Sequence, residues 1–170
     1  PLPTEIGQLI QLYDLSINLN QLNGTLPTEL GRLELLWSMS LANNSFTGTV
    51  PTQLGDLSAL ITLDLSDNTF TGTLPTEMGQ LTNLTDFYFS KNNLNGTLPT
   101  ELGQLSNLLR LSLQENMFTG ALPTELGTLI LLGEFNIAEN GFTGTIPMDL
   151  SEMINLTSFM FHDNDLTGSV

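Results

Sequence analysis

Acid–base chemistry in this sequence would have to begin at His162, the only histidine among 170 residues, which stands next to Asp163. Histidine is the side chain whose ordinary pKa lies nearest neutral pH. No cysteine is present, no cluster of metal-ligating residues accompanies His162, and the serines recur without a base at a fixed spacing. No glycine-rich phosphate loop occurs either. The residues therefore predict no catalysis and no cofactor.

Carboxylates form columns when segments 24 residues apart are aligned. Glu115, Glu139 and Asp163 follow one another in one column without an intervening base. Adjacent carboxylates repel and attract hard cations, which makes this column a candidate for weak Ca²⁺ binding. A second column is interrupted at Gln53 and contains Glu5, Glu29, Glu77, Glu101, Glu125 and Asp149. A solvated acidic face that keeps the protein soluble is the simpler explanation of both.

The overall charge excludes two classes of partner. Eighteen acidic residues against three basic ones give a formal charge of −15, which repels nucleic acid and anionic lipid headgroups. No apolar run is long enough for a membrane span, so this segment is not expected to insert into a membrane. Each base has an acid one repeat away: Arg110 lies between Asp86 and Glu134, Lys91 between Asp67 and Glu115, and Arg32 precedes Asp56. Local charge balance is thus the first explanation for these bases.

The elements that would position these groups repeat every 24 residues. Proline recurs at 3, 27, 51, 75, 99, 123 and 147, and asparagine at 20, 44, 68, 92, 116, 140 and 164. The alternating stretch LITLDLSDN predicts a short strand with one buried face, and LPTELGQL predicts a short helical or 3₁₀ turn. Such strands must stack on neighbouring turns, so we expect a solenoid in which each inward asparagine bonds the adjoining backbone. A spine of Phe46, Phe70, Phe118 and Phe142, with Leu22, Leu94 and Leu166 in the other turns, would run beside the asparagines.

The repeating frame LxxLxxLxLxxNxLxGxLPxxLGxL, as in LTNLTDFYFSKNNLNGTLPTELGQL, resembles the plant-type leucine-rich repeat. The resemblance covers essentially the whole chain and departs from the frame mainly at Gln53, at 148–149 and at Ser151. It implies an α/β repeat fold: a right-handed, twisted leucine-rich-repeat solenoid with a parallel β-sheet on the concave face and short 3₁₀ or helical turns on the convex face. We expect residues 1–170 to be one array of seven units and a fragment lacking its caps. Similar arrays form ectodomains of plant receptor-like kinases and secreted plant or algal proteins.

Function should then reside in the variable, outward-facing strand positions. We predict a non-catalytic extracellular module that binds a protein, peptide or glycan through the concave face. The predicted contact residues are Asp14, Ser16, Trp37, Ser38, Asp64, Asp86, Tyr88, Arg110, Ser112, Gln114, Glu134, Met160 and His162. The apolar column Tyr13, Trp37, Ile61 either contacts ligand or covers the edge of the sheet. A structural or adhesive cell-wall or surface protein with weak Ca²⁺ or mineral contact is the first alternative.

Threonine and asparagine provide two further signals. Segments of the type TGT recur, as at 47–49 and 71–73, and could present threonine columns to ice, although β-branched residues also suit an extra strand there. Ice binding is therefore a second alternative. Five asparagines head N-x-S/T sequons, which are used only in a secretory compartment: Asn23, Asn43, Asn83, Asn95 and Asn155. They favour an extracellular glycoprotein.

Overall fold

The computed structural model describes residues 1–168, in which seven turns stack as a right-handed solenoid. The first strand of each turn is three residues long, and the strands are β1 (Asp14–Ser16), β3 (Ser38–Ser40), β5 (Thr62–Asp64), β7 (Asp86–Tyr88), β9 (Arg110–Ser112), β11 (Glu134–Asn136) and β13 (Ser158–Met160). They pair in chain order as a parallel sheet on the concave face, each residue opposite the residue 24 positions further on. The central residue of each strand points inward, as the alternation predicts. In the stretch LITLDLSDN, at 60–68, from which the strand was predicted, only the three residues Thr62–Asp64 form a strand.

A second parallel sheet of seven strands lies on one flank of the solenoid. Its strands are β2 (Asn23–Gly24), β4 (Ser45–Gly48), β6 (Thr69–Gly72), β8 (Asn93–Gly96), β10 (Met117–Gly120), β12 (Gly141–Thr145) and β14 (Asp165–Thr167). The register differs from that of the concave sheet, because Thr47 pairs with Thr69 and Gly48 with Phe70, 22 residues on. Equivalent residues of successive turns are therefore displaced by two positions along the strand.

The convex side consists of 3₁₀ segments, each preceded by a proline with φ near its fixed value. The segments are Thr4–Gln8, Thr28–Arg32, Thr52–Asp56, Thr76–Gln80, Thr100–Gln104, Thr124–Thr128 and Met148–Glu152. Their glycines allow close stacking: a Cβ added at Gly79 would lie 2.4 Å from the carbonyl oxygen of Glu101 in the next turn. The convex turns can thus approach one another only where this position lacks a side chain.

The core is one continuous cluster that runs through all the turns. Phe46, Phe70, Phe118 and Phe142 are fully buried, with Leu94 between the two pairs. Ring centroids are 6.3 Å apart for Phe46–Phe70 and 6.1 Å for Phe118–Phe142, and both pairs are stacked. The predicted spine is confirmed, although Leu22 and Leu166 at its two ends are only partly buried.

The asparagine column satisfies the backbone where the chain turns away from the concave sheet. Asn68 accepts a hydrogen bond from the backbone N–H of Phe46 (2.9 Å). Its side-chain amide donates to the carbonyls of Leu41 (3.1 Å), Leu65 (3.2 Å) and Ser66 (3.1 Å). The pattern recurs from Asn44 to Asn164. The prediction that inward asparagines bond the adjoining turn is confirmed for Asn44 to Asn164, whereas Asn20 donates to the carbonyls of Ile17 and Asn18 in its own turn.

Across residues 1–168, no helix has both the length and the apolar character that a membrane crossing would require.

Candidate ligand-binding face

The concave sheet arranges most of the predicted contact residues in two parallel rows. One row, by direct pairing, is Asp14, Ser38, Thr62, Asp86, Arg110, Glu134 and Ser158. The other is Ser16, Ser40, Asp64, Tyr88, Ser112, Asn136 and Met160. Trp37 precedes its strand, whereas Gln114 and His162 follow theirs by two residues. Four residues of these rows were not among the predicted contacts, although the same 24-residue alignment would have placed them there: Ser40, Thr62, Asn136 and Ser158.

A hydrogen-bonded cluster occupies the middle of this face, and we call Thr85, Asp86, Tyr88 and Arg110 the central cluster. The carboxylate of Asp86 is buried and accepts from Thr85 Oγ1 (2.7 Å) and from the Tyr88 hydroxyl (3.0 Å). Arg110 Nε donates to the same carboxylate and to the Tyr88 hydroxyl, at 2.8 Å from the latter. Within residues 1–168 the guanidinium bonds only through Nε, which leaves its two terminal nitrogens for a ligand. Thr85 is a member that the sequence did not indicate.

The contacts of the central cluster shift the pKa values of two of its members, Tyr88 and Arg110. Partial burial raises the pKa of Tyr88 above its usual value, and the hydrogen bond to Asp86 raises it further. The hydrogen bond to Asp86 also raises the pKa of Arg110. Both shifts reinforce the states that these side chains already have at physiological pH, a neutral hydroxyl for Tyr88 and a cation for Arg110.

The other bases are held less firmly than Arg110. Lys91 Nζ lies 4.0 Å from Asp67 and 3.8 Å from Glu115, and all three side chains are well exposed. Such pairs contribute about 0–1 kcal/mol. Arg32 and Asp56 line one depression on the convex side, but no ion pair within 4.0 Å joins Arg32 to any acid in the described chain. The expected balance of Arg32 by Asp56 is therefore not a direct contact.

The acidic column beside the concave face lies in a bend of the backbone. Glu115, Glu139 and Asp163 have left-handed φ values of 56°, 54° and 54°. Their side chains are exposed, and no three histidine or carboxylate side chains among residues 1–168 converge as a metal site. His162 is exposed as well. Diffuse Ca²⁺ attraction at this column stays a prediction.

One flank carries a shallow apolar depression of about 590 Å³, which we call the lateral groove. It is lined by Ala59, Ile61, Asn83, Thr85, Asn107, Leu109 and Leu131. Ile61 is 41% and Leu109 39% exposed, although both are apolar. The groove adjoins the strand entrances, where the predicted column Tyr13, Trp37, Ile61 is exposed too. The groove was not predicted, because its lining comes from two columns of mixed polarity: Ala59, Asn83, Asn107 and Leu131 in one, and Ile61, Thr85 and Leu109 in the other.

The opposite flank carries the threonines. They are exposed, but the 22-residue register sets Thr47 opposite Thr69 and Thr71 opposite Asn93. Equivalent threonines of successive TGT segments are consequently not direct neighbours, so the flat array imagined from the sequence is sheared. All five sequon asparagines are exposed, with Asn83 and Asn155 on the groove flank and Asn23 and Asn95 on the threonine flank.

Comparison with known families identifies the repeat. The profile described as Leucine Rich Repeat matches residues 35–57, 59–81, 83–105 and 107–129, more than half of the chain. No curated protein sequence gives a significant match.

Solved structures with the same architecture include plant receptors. A crystal structure of a TDR receptor has a TM-score of 0.98 and 36% identity, over 99% of this chain and 29% of that one. The Arabidopsis receptor kinase HAESA, solved in complex with the peptide hormone IDA and the co-receptor SERK1, has a TM-score of 0.96 and 31% identity, over 99% and 28%. A plant ice-binding protein has a TM-score of 0.73 and 24% identity, over 99% and 69%, a likeness of fold alone. The present chain spans less than a third of each receptor chain.

Proposed function

The chain belongs to the leucine-rich repeat family, and from this premise we propose that it is a non-catalytic, extracellular recognition module whose concave face binds a peptide or protein. The observation that carries the proposal is the central cluster, in which a buried carboxylate and a tyrosine hydroxyl orient Arg110 on an otherwise variable surface. Arginine and tyrosine are enriched among residues that dominate binding energy. Because Arg110 is already held, little side-chain entropy is lost when a ligand binds.

The neighbours support a peptide as the ligand class. HAESA is described with a peptide hormone bound, and RGFR1 is a plant peptide hormone receptor in complex with RGF2. Folds host many functions, so this support applies to the mode of binding and not to the identity of the ligand. A glycan ligand remains a prediction from the sequence.

The charge of the concave face indicates what charge its partner should carry. In the two rows Asp14, Asp64, Asp86 and Glu134 outnumber the single cation Arg110, and the chain as a whole carries −15. A partner with a net positive charge would be attracted to this face and would associate faster at low salt. Within such a partner, one acidic group or carbonyl would meet the terminal nitrogens of Arg110.

Selection of a random-peptide display library against the chain tests this function. Peptides enriched on the wild type should bind Arg110→Gln at least about 30-fold more weakly, because a hot-spot contact is worth about 2 kcal/mol or more. Arg32→Gln is the matched control, since it removes the same charge from the convex side. If every enriched peptide bound both variants equally well, Arg110 would not be part of the site. Enriched peptides with a net negative charge would contradict the expected positive charge of the partner.

Two alternatives predict different observations. Ice binding requires thermal hysteresis, and the sheared threonine register argues against the regular array it would use. An adhesive role through Ca²⁺ requires calorimetric heat at millimolar ion, abolished by removing Glu139 and Asp163 together.

A further inference from the structure

Two residues of the sequon Asn83-Leu84-Thr85, Asn83 and Thr85, line the lateral groove, and no other sequon within residues 1–168 does so. Asn83 is exposed, and its side-chain nitrogen donates to the carbonyl of Ser58 at 2.8 Å. We propose that Asn83 is an N-glycosylation site whose first N-acetylglucosamine lies in the lateral groove against Ile61 and Leu109. The proposal rests on the extracellular part of the proposed function, and it does not depend on what the concave face binds.

The modification is compatible with the hydrogen bond that Asn83 already makes. In glycosyl transfer, Nδ2 forms a bond to C1 of the sugar while the bond from C1 to the diphosphate of a lipid-linked oligosaccharide donor breaks. The diphosphate leaves with the electron pair, and the amide nitrogen gives up one proton. The second N–H remains available to the Ser58 carbonyl, so the turn need not rearrange.

The chemistry of the groove matches that of the sugar. Ile61 and Leu109 expose apolar surface in the same groove, in the turns before and after that of Asn83, and the ring face and the acetyl methyl group can cover this surface. Asn107 and Thr85 lie in the same lining. The Thr85 hydroxyl donates its proton to Asp86 and the Asn107 amide donates to the Thr82 carbonyl, and the side-chain oxygens of both can accept from sugar hydroxyls. The groove therefore offers both kinds of contact that an amphipathic sugar ring makes.

Asn155 provides a matched comparison within the chain. It occupies the same place in its turn, heads the sequon Asn155-Leu156-Thr157, and donates to the Ile130 carbonyl at 2.7 Å. In the preceding turn, however, the position equivalent to Ile61 is Gly133. Asn155 therefore has Gly133 in place of the apolar wall that Ile61 supplies, and the exposed Leu131 in place of Ala59.

The test uses the chain secreted from a eukaryotic cell and trimmed by endoglycosidase to one N-acetylglucosamine per site. Intact mass should fall by one sugar in Asn83→Gln and by one in Asn155→Gln. We expect Asn83→Gln to lower the unfolding temperature by about 2–4 °C and Asn155→Gln to change it less. The same two substitutions in protein made in bacteria, without sugar, should have equal effects, which separates the sugar from the amide. Nuclear Overhauser contacts should join the acetyl methyl to the Ile61 and Leu109 methyls.

Two results would overturn the proposal. One is a secreted chain whose mass and peptide map show no sugar at Asn83. The other is a glycosylated Asn83 with no Overhauser contact to Ile61 or Leu109 and no difference in unfolding temperature from Asn155→Gln. Because the unliganded protein is measured, neither result bears on peptide binding at the concave face, and loss of peptide binding would leave this proposal intact.

Discussion

Replacing Asn92 by alanine tests whether the asparagine column holds the turns together. The Asn92 side chain accepts a hydrogen bond from the buried N–H of Phe70 (3.0 Å). It donates to the carbonyls of Leu65 (3.0 Å), Phe89 (3.2 Å) and Ser90 (3.2 Å). These bonds reach the preceding turn as well as its own, so the substitution removes a link between turns.

The free-energy cost of Asn92→Ala depends on which backbone groups keep a hydrogen-bond partner. The Leu65 carbonyl still accepts from Asn68, that of Phe89 from Asn116, and that of Ser90 from the backbone of Asp67. Only one donor, the Phe70 N–H, is orphaned in the core, at about 1–3 kcal/mol. With the weakened carbonyl bonds, we expect Asn92→Ala to lower the free energy of unfolding by about 2–4 kcal/mol.

Equilibrium unfolding in urea, followed by circular dichroism, measures this difference. Asn20→Ala is the matched control, because Asn20 is exposed and donates only to the carbonyls of Ile17 and Asn18 in its own turn. We expect its cost to be below about 1 kcal/mol. Equal costs for Asn92→Ala and Asn20→Ala would refute the argument that inter-turn bonds make the column stabilising.

Further predictions concern stacking, protonation and backbone strain. Gly79→Ala should cost about 1–3 kcal/mol, because a Cβ would lie 2.4 Å from a carbonyl oxygen, whereas Gly133→Ala, whose nearest neighbour atom is 3.7 Å away, should be neutral or slightly stabilising in the same urea assay. Tyr88, in a variant that keeps it as the one tyrosine, should ionise above its usual pKa in an absorbance titration, and Asp86→Asn should move that pKa back toward 10.0. Since its folded pKa is raised, the stability from Tyr88 is fully present below its unfolded pKa and is lost as pH rises through the folded one. Glu139 has a left-handed φ of 54°, which asparagine adopts at a lower cost than glutamate. Glu139→Asn should therefore raise the free energy of unfolding by about 0.5–1 kcal/mol, and a destabilised variant would show that the glutamate makes a compensating contact.

The sequence predicted the scaffold well because each turn meets the same environment. A buried asparagine at one fixed offset has few solutions, so the ladder of Asn68 and Asn92 followed from the cost of an unsatisfied amide. The register of the flank sheet could not be predicted from the sequence, because a shift of the pairing from 24 to 22 residues keeps every side chain on the same face. Nothing in the alternation of Thr47 and Gly48 distinguishes the two registers.

Prediction of the site was limited by the same regularity. Alignment of the repeats predicted that Asp86 and Arg110 are neighbours. It did not predict that the Asp86 carboxylate is buried or that it bonds Thr85 and Tyr88. Those depend on rotamers within one turn, which a repeating frame does not constrain. The lateral groove was missed for a related reason: it requires Ile61 and Leu109, two turns apart, to flank an amide in the turn between them.

The two proposals together assign separate roles to the surfaces of one solenoid. Each side of a turn faces a different direction, so the flanks can carry sugar while the concave rows stay open. Four of the five sequons fit this division, since Asn83 and Asn155 lie on the groove flank and Asn23 and Asn95 on the threonine flank. Asn43 is the exception, because it lies in the column of Glu115, beside the concave face. A sugar over Ile61 and Leu109 would also cover apolar surface that is exposed in the sugar-free chain. We therefore expect the glycosylated chain to select ligands by charge at Arg110 and its acidic neighbours, and the sugar-free chain to bind apolar peptides in addition.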